Sequence, residues 1–478
     1  MEWTSIPSKE QDLNNMAKNK ITHSVRYLAK EILEAIESEG AYSNILLNTT
    51  IDKHKLSEKD AGLLTELVYG VTQRKMTLDY GLSSYIRSPK KLESWVRNLL
   101  RLSVYQMIYL NKIPDHAILY DAVEIAKFKG HTGISKLVNG ILRNVQRNGL
   151  KDWKEITNSI ERMSIGSSVP VWIIKKLINQ LGNEKTESLV YSLQTAPYLS
   201  IRVHDQTISM DEIEKRLAED HIKAEASPLS PCGLRVHSGR VVKSELFKDG
   251  KITIQDESSQ LVALFGALQP TDKVLDACAA PGGKTVHIAS FLDKAVEGEV
   301  HALDIHEHKI KLIEENTKRL HVSDKVITHL LDAKTSNQLF APKSFDVIFV
   351  DAPCSGMGLM RRKPEIKYSL KETDIYALQK EQQEILKAVK PLLKTGGRLV
   401  YSTCTIVREE NQETIQTFLM EHSDMKVIPA NSKAAFNQKL ELPNTIITPE
   451  GYVEIYPDDF GTDGFFICAM EKTIRGDE

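Results

Sequence analysis

The second half of the chain alternates short apolar strands with amphipathic helices, and this alternation restricts the fold more than any other feature. The predicted strands are KVLDACA, EVHALDI, VITHLLDA, SFDVIFVDAP and RLVYSTCT. Strands separated by helices are typical of a parallel sheet covered by helices. We therefore predict an α/β domain over residues 251–474, closed by an antiparallel pair from YVEIYPDDF and GFFICAME. Gly396 and Gly397 are expected to cap its longest helix.

One predicted strand ends in an acid, a proline and a cysteine. Residues 347–350 are a continuous apolar run, and Pro353 cannot join a strand ladder. Asp351 and Cys354 therefore follow the carboxyl end of a strand, where open α/β sheets bind ligands. Taken alone, this stretch allows two interpretations. Asp351 and Cys354 could act together on a substrate, or Asp351 could be an acid in a turn and Cys354 a small buried residue.

A second thiol, Cys404, follows the predicted strand that ends YSTC. Burial as an inert thiol is the commoner fate of cysteine, but burial alone does not place two thiols just past strand ends. Thiolate attack at C6 of a pyrimidine makes C5 nucleophilic enough to accept a methyl group. Two cysteines at one sheet edge fit that chemistry.

The first strand of the sheet leads into a glycine turn, VLDACAAPGGKT, which differs from the dinucleotide fingerprint GxGxxG. Its small residues, from Ala279 to Gly283, would let a ligand approach the backbone closely. Asp304 and Asp332 end the next two strands. Acids at three strand ends suit a nucleoside-containing cofactor with little need for phosphate binding, such as S-adenosylmethionine. Each acid alone could instead cap a helix or a turn.

The N-terminal third has the periodicity of an all-α bundle, which we predict over residues 20–150. Residues 1–150 contain 21 Lys and Arg against 16 Asp and Glu, although the whole chain has a net charge of −2. Between Arg74 and Arg101 a basic excess favours a phosphate-contacting face, with a solvated helix surface as the alternative. The basic residues there are Arg74, Lys75, Arg87, Lys90, Lys91, Arg97 and Arg101.

Residues 165–250 combine helical and strand patterns, which predicts a small α+β domain of ferredoxin-like or RRM-like type that grips substrate. Arg202 is its candidate contact residue, with a surface ion pair as the default alternative. The 478 residues suggest about three domains. No apolar run reaches the length of a membrane span, and the five cysteines show no metal-ligand spacing. We expect a cytoplasmic protein with free thiols and no metal.

Two segments of the N-terminal third, IPDHAILYDAVEIAK and KLVNGILRNVQRNG, resemble late helices of the NusB-like fold, a helical RNA-binding module. This resemblance implies contact with RNA but no chemistry. Further along the chain, ordered motifs resemble those of the RNA cytosine-5 methyltransferases. The motifs are QDESSQ, VLDACAAPGGKT, ALDIHEHKI, LLDA, FVDAPCSGMG, MRRKPEIK, YSTCTIVREEN and GTDGFFICAME. Together the domains resemble the RsmB family, also called Sun, which methylates small-subunit ribosomal RNA.

The resemblance implies a Rossmann-like class I methyltransferase domain and a role for each motif residue. Cys404 would attack C6, Cys354 would assist release of the covalent adduct, and Asp351 would hydrogen-bond the cytosine edge. S-adenosylmethionine would be bound by Cys278, Ala279, Ala280, Pro281, Gly282, Gly283, Lys284, Asp304, Asp332 and Asp351. Lys284, with Arg361 and Arg362, could help offset the cost of moving the base out of a stack. His204 stands where the pattern leads us to expect asparagine.

Together with the motifs, the resemblance implies an S-adenosylmethionine-dependent enzyme that makes 5-methylcytosine in 16S ribosomal RNA, with cytosine 967 as the target of the family. We expect a monomer that acts on the RNA before the subunit is fully assembled. Three alternatives stay open: a transfer-RNA target, a non-catalytic assembly factor, and DNA cytosine methylation, for which the cysteine after a proline is the nucleophile.

Overall fold

The computed structural model describes residues 21–88, 91–205, 207–436 and 442–474. The chain divides into two compact units. The first comprises the described residues up to Gln194 together with Lys363–Ser369. The second comprises those of Thr195–Arg362 and Leu370–Glu478.

The first unit is helical, as predicted for the N-terminal third. Its helices are α1 (Val25–Glu39), α2 (Ser43–His54), α3 (Glu58–Gln73), α4 (Lys75–Leu82), α5 (Ser94–Tyr109), α6 (Asp115–Lys129), α7 (Thr132–Asn148), α8 (Ser159–Ser167), α9 (Val171–Leu181) and α10 (Asn183–Ser192). The predicted apolar stripes form its core, with Leu28 and Ile32 buried on α1 and Val138 and Leu142 on α7. No helix in the described residues is long and apolar enough to cross a membrane.

The segment Lys363–Ser369 belongs to this helical unit although its neighbours in sequence do not. It forms one turn, Ile366–Ser369, and buries the Lys367 side chain completely. Lys367 Nζ donates a 2.9 Å hydrogen bond to the backbone oxygen of Gln73 at the end of α3. Burial, followed by repulsion from Arg74, lowers the pKa of Lys367 well below its usual value.

The second unit contains a small antiparallel sheet and a large mixed sheet. The small sheet has the order β2-β3-β1-β4. Its elements are β1 (Leu199–Val203), α11 (Met210–Glu219), β2 (Lys223–Ala226), β3 (Gly233–Ser238), α12 (Glu245–Lys248) and β4 (Ile252–Ile254). Ile213 and Leu217 of α11 share a core with Ile201 of β1 and Leu234 of β3. This arrangement confirms the predicted α+β domain.

The large sheet has eight strands in the order β10-β12-β9-β8-β5-β6-β7, with β11 paired to β12. Its elements are α13 (Glu257–Leu264), β5 (Lys273–Asp276), α14 (Gly283–Ala289), β6 (Glu299–Asp304), α15 (Glu307–Arg319), β7 (Val326–Leu330), β8 (Phe345–Asp351), α16 (Glu372–Val389), β9 (Leu393–Thr403), α17 (Gln412–Glu421), β10 (Met425–Ile428), β11 (Val453–Ile455), α18 (Pro457–Phe460) and β12 (Phe465–Lys472).

Five strands of this sheet are parallel, as the sequence predicts, and β12 closes the sheet antiparallel to β9. The strand order reverses between β5 and β8, because β6 and β7 extend to one side of β5 and β9 extends beyond β8. Such a reversal opens a crevice at the carboxyl ends of the strands. The crevice lies between Asp276 and Asp351, the last residues of β5 and β8.

The predicted cap at Gly396 and Gly397 is wrong. Helix α16 ends at Val389, and both glycines lie inside β9. The helix stops earlier because Pro391 has no backbone N–H to continue the helical ladder. A short 3₁₀ turn, Lys390–Leu392, then leads directly into the strand.

Candidate active site

The carboxyl edge of the large sheet brings together the predicted acids and thiols. β5, β6 and β8 end at Asp276, Asp304 and Asp351, and Asp332 follows the end of β7 by two residues. Cys404 comes directly after β9. Because the five strands are parallel neighbours, their ends lie along one edge. This edge of the sheet therefore carries four carboxyl groups and a thiol.

The glycine turn after β5 is a tight backbone loop that leads into α14. Its Ala280–Pro281 peptide bond is cis, and Gly282 has a φ of 98°. A Cβ atom on Gly282 would lie 3.1 Å from the Cα of Ile313, so a side chain would be both strained and crowded there. A Cβ atom on Gly283 would meet no atom within 4 Å. The turn thus leaves open space beside its second glycine.

Cys278 and Ala279 line the start of this turn. Ala279 is buried, and its N–H donates to the backbone oxygen of Leu303 on β6 at 2.9 Å. Desolvation, with the Asp276 charge next, raises the pKa of the half-buried Cys278 thiol well above its usual value. The Cys278 thiol therefore stays protonated at neutral pH and supplies contact surface rather than a nucleophile.

Asp276 is a site residue that the sequence reasoning missed, although it ends a strand as the three predicted acids do. It is 1% exposed, and its carboxyl group accepts a 2.7 Å hydrogen bond from the hydroxyl of Thr285 on α14. Burial raises its pKa to about 6, more than that hydrogen bond lowers it. The Asp276 carboxyl group fixes α14, and with it the glycine turn, to the end of β5.

Asp304 and Asp332 each use one oxygen to organise the backbone that follows. Asp304 Oδ1 accepts from the N–H of His306 at 2.9 Å, and Asp332 Oδ1 accepts from the N–H of Lys334 at 2.9 Å. The turn and cap roles considered for these acids are therefore real. Asp304 Oδ2 keeps no hydrogen-bond partner among the described residues and stays available to a ligand.

Asp351 and Lys284 form an ion pair across the crevice. Lys284 Nζ lies 2.7 Å from Asp351 Oδ2, while the hydroxyl of Ser402 donates to Asp351 Oδ1 at 2.7 Å. Burial acts to lower the pKa of Lys284, but the Asp351 carboxylate outweighs it, and the pKa lies above its usual value. The ammonium group also lies 5.2 Å from the ring centre of Phe465. These contacts fix the positions of both the Lys284 ammonium group and the Asp351 carboxylate.

Cys354 and Cys404 face each other with 3.3 Å between their sulfur atoms. The contact with Cys404, followed by burial and the Glu410 charge, raises the pKa of the Cys354 thiol well above its usual value. At neutral pH Cys354 therefore keeps its proton and can donate it toward the sulfur of Cys404. The two thiols are thus close enough for a direct S–H···S contact at the end of β9.

Two further residues missed from the sequence, Glu410 and Asn411, hold the thiol loops in place. Glu410 is fully buried and accepts hydrogen bonds from the N–H and hydroxyl of Ser355, next to Cys354. Asn411 accepts from the hydroxyl of Thr403 and donates its amide to the oxygen of Thr405 at 3.1 Å. These adjacent residues thus fasten one loop each. We call them the Glu410–Asn411 clamp.

Arg361 and Arg362, considered for a role in moving the base out of its stack, both make contacts within the protein. Arg362 Nε contacts both carboxylate oxygens of Asp463 at 2.8 Å, and its Nη2 lies 2.7 Å from Asp256. Arg361 is 6% exposed and donates to the backbone oxygen of Pro457 at 2.8 Å. Two aspartates and a carbonyl therefore tie these guanidinium groups to other segments of the protein.

Several cations of the predicted basic face in the helical unit are likewise used internally. Arg101 is 4% exposed and forms 2.7 Å hydrogen bonds with both carboxylate oxygens of Asp79, and Lys75 lies 2.8 Å from Glu37. The Arg74 guanidinium stacks 4.4 Å from the ring centre of Tyr109. Arg87 and Lys91 are exposed, and Lys90 lies outside the described residues. The residues between Arg74 and Arg101 therefore do not form one continuous basic face.

Arg202, the candidate contact of the small domain, is also buried and not at the surface. Its Nε donates to Gln255 at 2.7 Å, and its Nη1 lies 3.2 Å from Nδ1 of His204. Burial and the neighbouring Arg202 charge lower the pKa of His204 to about 4, so this histidine is neutral at pH 7. Neither predicted alternative, a substrate contact or a surface ion pair, describes the position of Arg202.

Three family descriptions match the chain. They are the 16S rRNA methyltransferase RsmB/F over residues 263–471, the NusB family over 23–147 and an RsmF/B-like ferredoxin-like domain over 169–243. The chain is 42% identical to the probable ribosomal RNA small subunit methyltransferase B of Bacillus subtilis, over 94% of this chain and 99% of that protein. It is 34% identical to ribosomal RNA small subunit methyltransferase B of Escherichia coli K12, over 85% and 92%.

Among solved structures, the crystal structure of PH0851 has a TM-score of 0.78 and 24% identity. It covers 98% of this chain and all of that one. This likeness shows the fold alone.

Proposed function

Because the chain belongs to the family of 16S rRNA methyltransferases RsmB/F, we propose that it methylates C5 of a cytosine in 16S ribosomal RNA through a covalent cysteine–C6 adduct. The observation that carries the proposal is the pair of sulfur atoms, Cys354 and Cys404, 3.3 Å apart beside Asp351 at the switch point of the sheet. A methyltransferase that acts on a nucleophilic atom, such as an amino nitrogen, needs no such pair of thiols.

S-adenosylmethionine fits the residues at the other side of the crevice. The open space at Gly283 admits a ligand to the backbone of the turn, and Asp304 Oδ2 and the Asp332 carboxylate can accept hydrogen bonds from ribose hydroxyl groups. Ile305, 59% exposed beside Asp304, offers an apolar surface to a flat ring. When bound, the cofactor supplies an electrophilic methyl group. Cys278, Ala279, Ala280, Pro281 and Gly282 complete the turn that would hold it.

Cys404 acts as the nucleophile in this proposal. Its thiolate forms a bond with C6 of the cytosine, and the electrons of the C5–C6 double bond make C5 nucleophilic. After C5 has gained its methyl group, a water molecule takes the C5 proton and the electron pair of that C–H bond restores the C5–C6 double bond. The sulfur–C6 bond breaks in the same step, and its electron pair leaves on the Cys404 sulfur. Cys354 keeps its proton and lies 3.3 Å from the departing sulfur, so its S–H stabilises the thiolate that leaves.

Asp351 gives the proposed site its preference for cytosine. Its carboxylate can accept a hydrogen bond from the N4 amino group of cytosine, whereas uracil presents an acceptor oxygen at that position. Lys284 and Ser402 hold the carboxylate in place at 2.7 Å each. Moving the target base out of its stack costs a few kcal/mol. The positive charge of Lys284 would attract the nearby phosphate groups of the RNA and so offset part of this cost.

Bisulfite sequencing tests the proposed function. Ribosomal and transfer RNA from cells with and without the gene would be compared, and a single cytosine of 16S RNA is expected to lose its mark without the gene. We propose position 967 for this cytosine, as the family resemblance implies. If a mark were lost only in transfer RNA, the substrate would be transfer RNA, the alternative that the sequence left open. If every mark stayed in place, the enzyme would have no role in cytosine-5 methylation.

A further inference from the structure

The outward face of helix α7 (Thr132–Asn148) is a continuous stripe of cations, amides and glycine. Its buried residues, which include Val138, Leu142 and Val145, form part of the core of the helical unit. The opposite face is exposed at residues spaced by three and four, so they line up along the helix. These residues are Lys136, Asn139, Gly140, Arg143, Asn144 and Arg147, which we call the α7 stripe.

Among the described residues, no carboxylate forms an ion pair with this stripe, and Asp115 beside it accepts from the amide of Gln146 at 3.2 Å. Helix α7 contains no Asp or Glu, and neither Lys136 nor Arg147 has a hydrogen bond or ion pair to any residue in the described parts of the chain. Arg143 contacts only the neutral amide of Gln146, at 3.2 Å. Elsewhere in the same unit, Arg101 is fully paired with acids. The stripe is therefore free to bind an anionic partner, in a protein whose net charge is −2.

Gly140 lies near the middle of the stripe and has no packing reason to be glycine. A Cβ atom there would meet nothing within 4 Å. Glycine inside a helix makes the helix less stable than alanine would, by about 1 kcal/mol. Gly140 has this cost although no neighbouring atom would prevent a larger side chain. Its effect is to expose bare backbone between Lys136 and Arg143, where a partner can approach closely.

We propose that the α7 stripe docks on the sugar–phosphate backbone of the RNA substrate. The cations at positions 136, 143 and 147 span about 16 Å along the helix, at 1.5 Å per residue. Cations and amides are the side chains that contact phosphate and sugar without reading base sequence. The choice of RNA as the polyanion rests on the proposed function, whereas the charge and exposure of the face do not.

An acidic protein is a weaker fit for the α7 stripe. Cores of protein interfaces are enriched in aromatic residues and depleted in charge. The stripe has no aromatic residue, and the apolar side chain exposed beside it is Leu137, at 45%. A surface of mobile charges and amides suits a hydrated phosphate backbone better than a protein interface.

The test compares two triple variants of the full chain that each remove three exposed positive charges from the helical unit. Lys136→Gln with Arg143→Gln and Arg147→Gln alters the stripe. The control changes Lys53, Lys59 and Lys175 to Gln, all exposed on other helices. The probe is in-vitro-transcribed 16S RNA free of ribosomal proteins. The stripe variant should bind about tenfold more weakly, with a salt dependence shallower by about two to three counterions, and the control should bind like the wild type.

A matched pair at Gly140 sharpens the test. Gly140→Glu places one carboxylate inside the stripe and should weaken RNA binding several-fold. Gly140→Ala adds one uncharged methyl group over the exposed backbone, so it should weaken binding less than Gly140→Glu and make the helix slightly more stable. In methylation assays the triple stripe variant should raise KM and leave kcat unchanged, because none of these residues belongs to the candidate active site.

Two results would overturn the α7 assignment: wild-type affinity and salt dependence in the triple stripe variant, or a loss of binding to assembled subunits with binding to naked RNA intact, which would indicate a protein partner. A wild-type protein that binds this RNA but transfers no methyl group would contradict the proposed function and leave the assignment standing.

Discussion

Glu410 accepts two hydrogen bonds from Ser355, one from its backbone N–H at 2.8 Å and one from its hydroxyl at 2.5 Å. The same hydroxyl lies 2.8 Å from that of Thr405. Ser355 follows Cys354 in sequence and Thr405 follows Cys404, so one buried carboxyl group joins the loops that present the two thiols. The distance between the sulfur atoms depends on this group as well as on the strands.

Replacing Glu410 by alanine should therefore damage both stability and the release step. The Ser355 N–H would lose its acceptor inside the protein, whereas the Gln382 amide would keep its hydrogen bond to Pro353, so the loss of unfolding free energy should be about 1–3 kcal/mol. Glu410→Gln keeps an acceptor for the N–H and should recover most of the stability. Denaturant unfolding and single-turnover product release measure the two effects. Exposed Glu413→Ala is the control, and wild-type release by Glu410→Ala would refute the coupling.

The two thiols should give opposite phenotypes. Cys404→Ala removes the nucleophile, so no covalent protein–RNA complex should form. Cys354→Ala leaves attack possible but removes the S–H that stabilises the leaving sulfur, so the covalent complex should accumulate. Denaturing gels with labelled 16S RNA show the complex as a slowly migrating band. The reverse pattern would exchange the roles of the two residues, and no band with either variant would argue against the covalent mechanism.

The fold could be predicted from the sequence because its signals are local. Each strand of the parallel sheet is a short apolar run, and an acid or cysteine at its end marks the ligand-binding edge. Asp276 also ends such a strand, although it was not among the predicted site residues. The Glu410–Asn411 clamp carried none, since Glu410 and Ser355 are 55 residues apart and meet only when β8 and β9 lie side by side.

Charge was less predictable than fold because sequence does not show which charges are paired. Arg101 counted toward a basic face, yet Asp79 and Glu37 neutralise it inside the helical unit. The sequence suggested Arg362 as an RNA contact, but in the structure it forms ion pairs with two aspartates from distant segments, Asp256 and Asp463. By contrast, helix α7 contains no acid, and Asp115, which lies beside it, accepts from the amide of Gln146 and not from a cation.

The buried carboxyl group of Asp276 should make stability depend on pH. Its pKa is raised to about 6 in the folded protein, against an ordinary value near 3.8, so the folded state binds the extra proton between those values. Unfolding free energy should therefore fall as pH rises from about 4 to 6, by about 2–3 kcal/mol. Asp276→Asn should remove this component, while the exposed Asp324→Asn should not. Equal slopes for wild type and Asp276→Asn would disprove the assignment.

Gly283→Ala should separate cofactor binding from folding. The added methyl group meets no protein atom within 4 Å, so unfolding free energy should change by less than about 1 kcal/mol. The same methyl group would occupy space proposed for S-adenosylmethionine, and the dissociation constant measured by calorimetry should rise at least several-fold. Gly358→Ala is the contrasting variant, because its Cβ would lie 2.0 Å from the oxygen of Gly464 and should destabilise the fold. Unchanged cofactor affinity in Gly283→Ala would place the cofactor elsewhere.

Asp351→Asn should weaken the distinction between cytosine and uracil. The carboxylate can only accept a hydrogen bond, which matches the amino group of cytosine, whereas an asparagine amide can turn to donate to the oxygen of uracil. The ratio of kcat/KM for RNA with cytosine to RNA with uracil at the target should fall about tenfold to a hundredfold, as expected for about 1–3 kcal/mol of lost discrimination. Ser402→Ala removes a hydrogen bond to the same carboxylate without changing its charge, so it should slow both substrates and preserve the ratio. If Asp351→Asn preserved the ratio as well, base selection would have to come from another group at the sheet edge.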